Sequence, residues 1–139
     1  MFADCFLDTN VLFYAALGRF TEPGKYERAR QVIAETHFGL SGQVMQEFFV
    51  NVTRKTARPL TTTKALEWLD ALGDRPFVSV DRQLVGEAAA VADRYQISYW
   101  DAALIAAAER LGAPVLYTED LNHDQTYGSV RVVNPFRAN

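Results

Sequence analysis

The chain has 139 residues, is 49% hydrophobic and 22% charged, and carries a net charge of −3. That length suits one domain with a real core, and the composition excludes a disordered or low-complexity protein. Cys5 is the only cysteine, which rules out an internal disulfide and nearly excludes a zinc knuckle.

The negative balance argues against a protein devoted to nucleic acid, but the charge is unevenly spread. Residues 19–64 hold eight Lys/Arg against four Asp/Glu, whereas residues 65–139 hold six against eleven. A basic middle could meet a phosphate backbone while acids act elsewhere; two solvated helix surfaces explain the pattern equally well. The N-terminus has no basic leader, and Asp4 and Asp8 interrupt any apolar stretch, so no signal peptide is expected. The longest apolar run, residues 102–108, is too short to cross a bilayer. These features predict a soluble, cytoplasmic protein with no membrane partner.

In chain order, residues 3–7 read as a buried strand, with Cys5 packed as a small hydrophobe, and residues 9–17 as a short helix. Pro23 and Gly24 break the chain. Tyr26, Ala29, Val32 and Ile33 then recur at helical spacing. Residues 38–40 form a short apolar run, and Ser41 is placed to cap the next element. Met45, Phe48, Phe49 and Val52 mark an amphipathic helix over 43–56. A hydroxyl-rich turn, "RPLTTT", precedes another helix through Ala65, Leu66 and Leu69. Residues 77–80 read as a strand, and Asp81 caps a helix from 82 to about 95.

The segment "ISYWDAALIAAAERLGAP" is the clearest helix. Ser98 and Asp101 have capping-box spacing, and Gly112 and Pro114 mark its end. Residues 115–117 and 130–133 read as strands around the polar loop "TEDLNHD". Short apolar strands alternating with helices predict a three-layer α/β/α fold with a mostly parallel central sheet. Residues 1–139 are expected to form a single domain.

In such sheets ligands bind beyond the C-terminal strand ends. Asp8, Glu119, Asp120 and Asp124 follow strands. Glu47 and Asp101 lie in the early turns of helices. Each has an ordinary explanation as a cap, a capping-box partner, a dipole-favoured acid or an Asx turn. Glu47, however, lies off the apolar stripe of its helix, on the side of Asn51 and Arg54. Converging carboxylates must take up protons or bind a cation, and an all-oxygen donor set selects Mg²⁺ or Mn²⁺. Arg54, Lys55 and Arg58 continue the helix that bears Glu47 and are candidate contacts for a phosphodiester substrate. Arg19, Lys25, Arg28 and Arg30 form a second basic group. His123 reads as a surface loop residue.

Four stretches, "FLDTNVLFYA", "VMQEFFVNVTRK", "ISYWDAALIAAAERLGAPVLYTEDL" and "VRVVNPF", occur in this order over nearly the whole chain. Together they resemble the PIN domain family, and more narrowly the VapC-like toxins of bacterial toxin–antitoxin pairs. The resemblance implies a Mg²⁺-dependent endoribonuclease, with Mn²⁺ able to substitute. It assigns catalytic and metal-binding roles to Asp8, Glu47, Asp101 and Asp120, with Asp124 as a further metal ligand. Thr9, Asn10 and Thr118 match small polar residues that orient the acids. Glu119 and Asp120 could exchange roles, but the T-x-D register favours Asp120.

The resemblance also implies RNA as substrate, a homodimer and an antitoxin partner. Phe13, Tyr14, Phe20 and Tyr26 are candidates for a groove that takes the partner's helix, or else they complete the core. The alternative function is a non-catalytic module of the same fold that binds RNA or protein.

Overall fold

A computed structural model describes residues 1–137. The elements are β1 (Cys5–Leu7), α1 (Thr9–Leu17), α2 (Pro23–Glu35), β2 (Phe38–Ser41), α3 (Gly42–Arg54) and α4 (Thr62–Ala71). They continue with β3 (Phe77–Val78), α5 (Arg82–Tyr95), α6 (Tyr99–Arg110), β4 (Val115–Tyr117), β5 (Thr126–Tyr127) and β6 (Val130–Val133). The six strands make one sheet in the order β3-β2-β1-β4-β6-β5. All neighbours are parallel except the β5–β6 hairpin at one edge. The expected mostly parallel α/β fold is the fold observed.

Local chemistry sets the element ends. The side chains of Asp8, Ser41, Thr61, Asp81 and Ser98 each accept a hydrogen bond from a first-turn amide of the following helix, which satisfies a donor that the helix cannot. The Ser98–Asp101 pattern is half a capping box: Ser98 Oγ accepts from the Asp101 amide at 3.1 Å. Pro23 stands at the start of α2, where its missing N–H costs nothing. Gly112 follows α6 at φ +64°, a conformation that a residue with a Cβ resists.

The chain runs outward in one direction from β1 to β2 to β3, then returns to place β4 and β6 on the other side of β1. Right-handed crossovers put α1–α4 on one face of the sheet and α5 and α6 on the other. α1 packs on α2 and α3, α3 packs on α4, and α6 lies between α5 and strands β2, β4 and β6. That position explains the alanines of α6. Residues 102–108 are all buried, which small side chains permit by letting neighbours approach from several directions. Phe6, Leu7, Phe38, Leu40, Ile105 and Leu116 form the centre of the core.

The sequence leaves one element unannounced. β5 is two residues long and lies just after the polar loop, so neither length nor apolar content marks it. Two strands are shorter than their apolar runs suggest: strand pairing is confined to Cys5–Leu7 and Phe77–Val78, and Ala3 and Asp4 bond to Leu111 and His37 outside it.

Gly39 in β2 sits where α6 ends. A methyl group there would meet Leu111 Cδ1 at 2.5 Å and Ala3 Cβ at 3.2 Å, and Leu111 is itself buried. Gly39→Ala is expected to destabilise the protein by about 1–3 kcal/mol through overpacking, measured as a lower denaturation midpoint at unchanged m-value.

Candidate active site

The strand order reverses between β1 and β4, and their C-terminal ends open a crevice there. β1 delivers Asp8 to it, β4 delivers Thr118 and Asp120, and α3, following β2, delivers Glu47. Asp8, Thr9, Asn10, Phe13, Tyr14, Glu47, Asn51, Lys55 and Asp120 line a cleft of about 400 Å³.

Asp8 is 4% exposed. Its Oδ1 accepts from the Thr9 amide at 2.6 Å, so it is both the cap of α1 and a wall of the cleft. Its Oδ2 accepts from Thr118 Oγ1 at 2.7 Å and from Asn10 Nδ2 at 3.1 Å. The same Asn10 amide group donates to Asp120 Oδ2 at 3.2 Å and so stands between two carboxylates. Thr118 Oγ1 also accepts from the Asp120 amide at 3.1 Å. Glu47 is held from both sides, by Thr9 Oγ1 at 3.1 Å and by Gln43 Nε2 at 2.9 Å.

Burial raises the Asp8 carboxyl to about 7, and the negative charges of Asp120 and Glu47 push in the same direction. Hydrogen bonds from Thr118 and Thr9 only partly offset this. A buried carboxyl crowded by two others is an electrostatic cost that a cation would relieve. Asn10 Oδ1 is buried and lacks a hydrogen-bond partner among the described residues. The donors are thus all hard oxygen groups, suited to Mg²⁺ or Mn²⁺. Among the described residues, no three His, Cys, Asp or Glu side chains stand close enough to hold one ion as they lie.

The expected acids part company here. Asp8, Glu47 and Asp120 share the cleft. Asp101 lies in the first turn of α6, whose Trp100 carbonyl accepts from Gln43 at 3.2 Å. Its helix therefore reaches the rim, but Asp101 is not among the lining residues. Asp124 points elsewhere. Its oxygens take Arg131 Nη1 at 2.9 Å and His123 Nε2 at 3.3 Å, and its backbone is left-handed at φ +67°. His123 accepts from the Asn134 amide through Nδ1 at 3.0 Å, which ties the loop to the end of β6.

Of the expected RNA contacts, Lys55 lines the cleft, Arg54 is exposed nearby, and Arg58 faces a neighbouring groove. In the second basic group, Lys25 is paired with Glu119, and Arg28 donates to the Pro135 carbonyl at 2.9 Å. Glu119 also accepts from the Tyr14 hydroxyl at 2.7 Å. Its carboxylate is taken up by Lys25 and Tyr14 and does not line the cleft, which leaves Asp120 as the acid there from the end of β4. Sequence reading missed Gln43, although it stands one turn before Glu47.

The arrangement defines an α/β domain with an open acidic cleft, built around a buried aspartate, at its topological switch point. The PIN domain profile matches residues 5–129, and the chain belongs to the PIN domain family. By sequence, no curated protein matches it. Solved structures with the same fold include VapC20 of Mycobacterium tuberculosis, described as a sarcin-ricin loop cleaving toxin. It is 18% identical over 84% of this chain and 89% of that one, with a TM-score of 0.66. A toxin–antitoxin complex from Klebsiella pneumoniae is 18% identical over 94% and 97%, with a TM-score of 0.70. VapBC2 of Rickettsia felis, bound to a fragment of its promoter DNA, is 16% identical over 92% and 96%, with a TM-score of 0.60. The fold of this chain is that of the VapC toxins.

The raised Asp8 value has a direct consequence for metal-free protein. The folded state holds this proton at pH values where the unfolded chain, with an aspartate near 3.9, has released it. The associated stability is full below about pH 4 and is lost as pH rises through about 7. Thermal melts without metal are expected to show Tm falling between pH 5 and 7. Asp8→Asn should flatten that slope and melt above the wild type at pH 7.

Proposed function

We propose that this protein is a Mg²⁺- or Mn²⁺-dependent endoribonuclease that hydrolyses RNA phosphodiester bonds, and that it is the toxin of a toxin–antitoxin pair acting in the cytoplasm. One observation carries the reading: Glu47 from α3 and Asp120 from the loop after β4 line one cleft together with the buried Asp8 from the end of β1. Among the described residues, no helix is long and apolar enough to cross a membrane.

Asp8, Glu47 and Asp120 would hold the cation, with the free Oδ1 of Asn10 beside them. Asp101 is a candidate ligand from the rim. When bound, the ion supplies positive charge that acidifies water and steadies charge on the phosphoryl oxygens. Thr9, Asn10 and Thr118 fix the acids, so little reorganisation is needed during reaction. Lys55 at the cleft edge is placed to take a phosphate, with Arg54 and Arg58 extending the basic path. Such contacts grip the backbone without reading sequence. Water adds to phosphorus and O3′ departs, leaving a 5′-phosphate and a 3′-hydroxyl.

An antitoxin fits the groove next to the cleft. Phe13, Phe20, Tyr26 and Trp68 line it, and Arg19, Arg30 and Arg58 contribute positive charge, around a volume of about 590 Å³. Phe20 is 76% exposed. Three of the four aromatic residues expected at such a groove are there, while Tyr14 turns toward Glu119 and the acid cleft. The chemistry suits an amphipathic helix with acidic flanks. A hollow formed by Met45, Phe49, Val50 and Leu69 offers a second apolar surface, suited to a homodimer.

The rival reading, a non-catalytic binding module, draws on the wide spacing of the acids. RNA cleavage decides between the two. With Mg²⁺, the wild type is expected to cut RNA and leave 5′-phosphates. Asp8→Asn, Glu47→Gln and Asp120→Asn should each lower kcat by roughly 100-fold or more while the fold persists. RNA binding without metal-dependent cutting would favour the module, and 2′,3′-cyclic phosphate ends would contradict hydrolysis by water.

A further inference from the structure

Lys25 was an expected member of a basic surface, but the fold gives it a different position. Its Nζ lies 3.0 Å from Glu119 Oε2 and 3.3 Å from the Tyr14 hydroxyl, which itself donates to Glu119 Oε1 at 2.7 Å. The ammonium also lies 5.8 Å from the centre of the Phe136 ring. That ring packs edge-on against Tyr14, with centres 5.1 Å apart. The Lys25 and Glu119 side chains are only 34% and 22% exposed. One residue therefore joins α2 to α1, to the loop after β4 and to the segment after β6. Arg28, almost one turn along α2, reinforces the last of these through the Pro135 carbonyl.

Glu119 is one peptide bond from Asp120. Holding the Glu119 carboxylate therefore restrains the backbone from which the Asp120 side chain leaves. Asp120 is more exposed than Asp8, and its contacts are the Asn10 amide group and, through its own N–H, Thr118. Lys25 does not line the cleft, but Tyr14 does. Tyr14 thus lies between the clamp and the site.

We infer that Lys25 is a positioning residue: by clamping Glu119 and Tyr14 it holds Asp120 in the cleft in the orientation that a divalent cation requires. This rests on the nuclease reading and names a residue that acts through others. Two of the three ammonium donors of Lys25 are directed at Glu119 and Tyr14, so its role in this inference is to hold those groups and not to take a phosphate. Residues that orient ligands typically change metal affinity or activity by about 10–100-fold when lost.

The test compares full-length wild type, Lys25→Met, Lys25→Arg, Glu119→Gln and the double variant Lys25→Met/Glu119→Gln. Three quantities are read: amide hydrogen exchange over residues 118–124, Mn²⁺ affinity by calorimetry without RNA, and kcat and KM on RNA. Lys25→Met is expected to exchange faster over 118–124, to bind Mn²⁺ about 10–100-fold more weakly, and to lose kcat in proportion at unchanged KM. Lys25→Arg should recover most of this, Glu119→Gln should resemble Lys25→Met, and the double variant should be no worse than either single one. If Lys25→Met does not fold, Glu119→Gln carries the same comparison. A raised KM with a weaker salt dependence and unchanged Mn²⁺ affinity would make Lys25 an RNA contact and overturn the inference. A wild type that neither binds Mn²⁺ nor cuts RNA removes the nuclease reading together with it. A wild type that does both, matched by Lys25→Met in every readout, overturns the inference alone.

Discussion

Placing Asp8 at the C-terminal end of the interior strand β1, with two other carboxylates nearby, is the constraint that organises this molecule. A carboxyl pushed to about 7 by burial and like charge is costly to fold around. The surrounding residues are those that make it tolerable. Thr9 and Thr118 donate to Asp8, and Asn10 places one amide group between Asp8 and Asp120. The motif D-T-N is in this sense a single electrostatic unit. The acid caps the helix, the threonine reaches over to Glu47, and the asparagine keeps the two aspartates apart.

The sheet makes that unit possible. Because β1 neighbours both β2 and β4, the strand end that carries Asp8 lies beside the strand end that carries Asp120. The alanine face of α6 allows that helix to lie close to the sheet. Its first turn then meets the start of α3, where Gln43 links the Trp100 carbonyl to Glu47. The Lys25–Glu119–Tyr14 clamp supports the site through Tyr14, which lines the cleft. Function depends on rigid elements converging, with the loop after β4 as the part that needs external restraint.

Much of this is legible in the sequence. The caps at Asp8, Ser41, Asp81 and Ser98 could be read because a short polar side chain ahead of an apolar periodic run has a local cause and a local effect. Asp8 was legible through its strand end and Glu47 through the helix face that it shares with Asn51; the strand end before Thr118 offered Glu119, Asp120 and Asp124 alike, and only the resemblance favoured Asp120. What failed to show was non-local. The position of Asp124 depends on Arg131 and on the β5–β6 hairpin, and β5 is too short to announce itself. The pairing of Lys25 with Glu119 spans most of the chain, so Lys25 looked like one more surface cation. Asp101 has a capping-box spacing that its sequence explains, and the fold leaves it outside the residues that line the cleft.

The central claim is that the three acids form a cation site. The most direct measurement is an anomalous difference map from crystals of the protein soaked in Mn²⁺. The account predicts a peak within the cleft, between Asp8 and Asp120 and within reach of Glu47, that is lost in Asp8→Asn. A map from well-ordered crystals with no peak there, or with its peak at Asp124 and His123 instead, would contradict it.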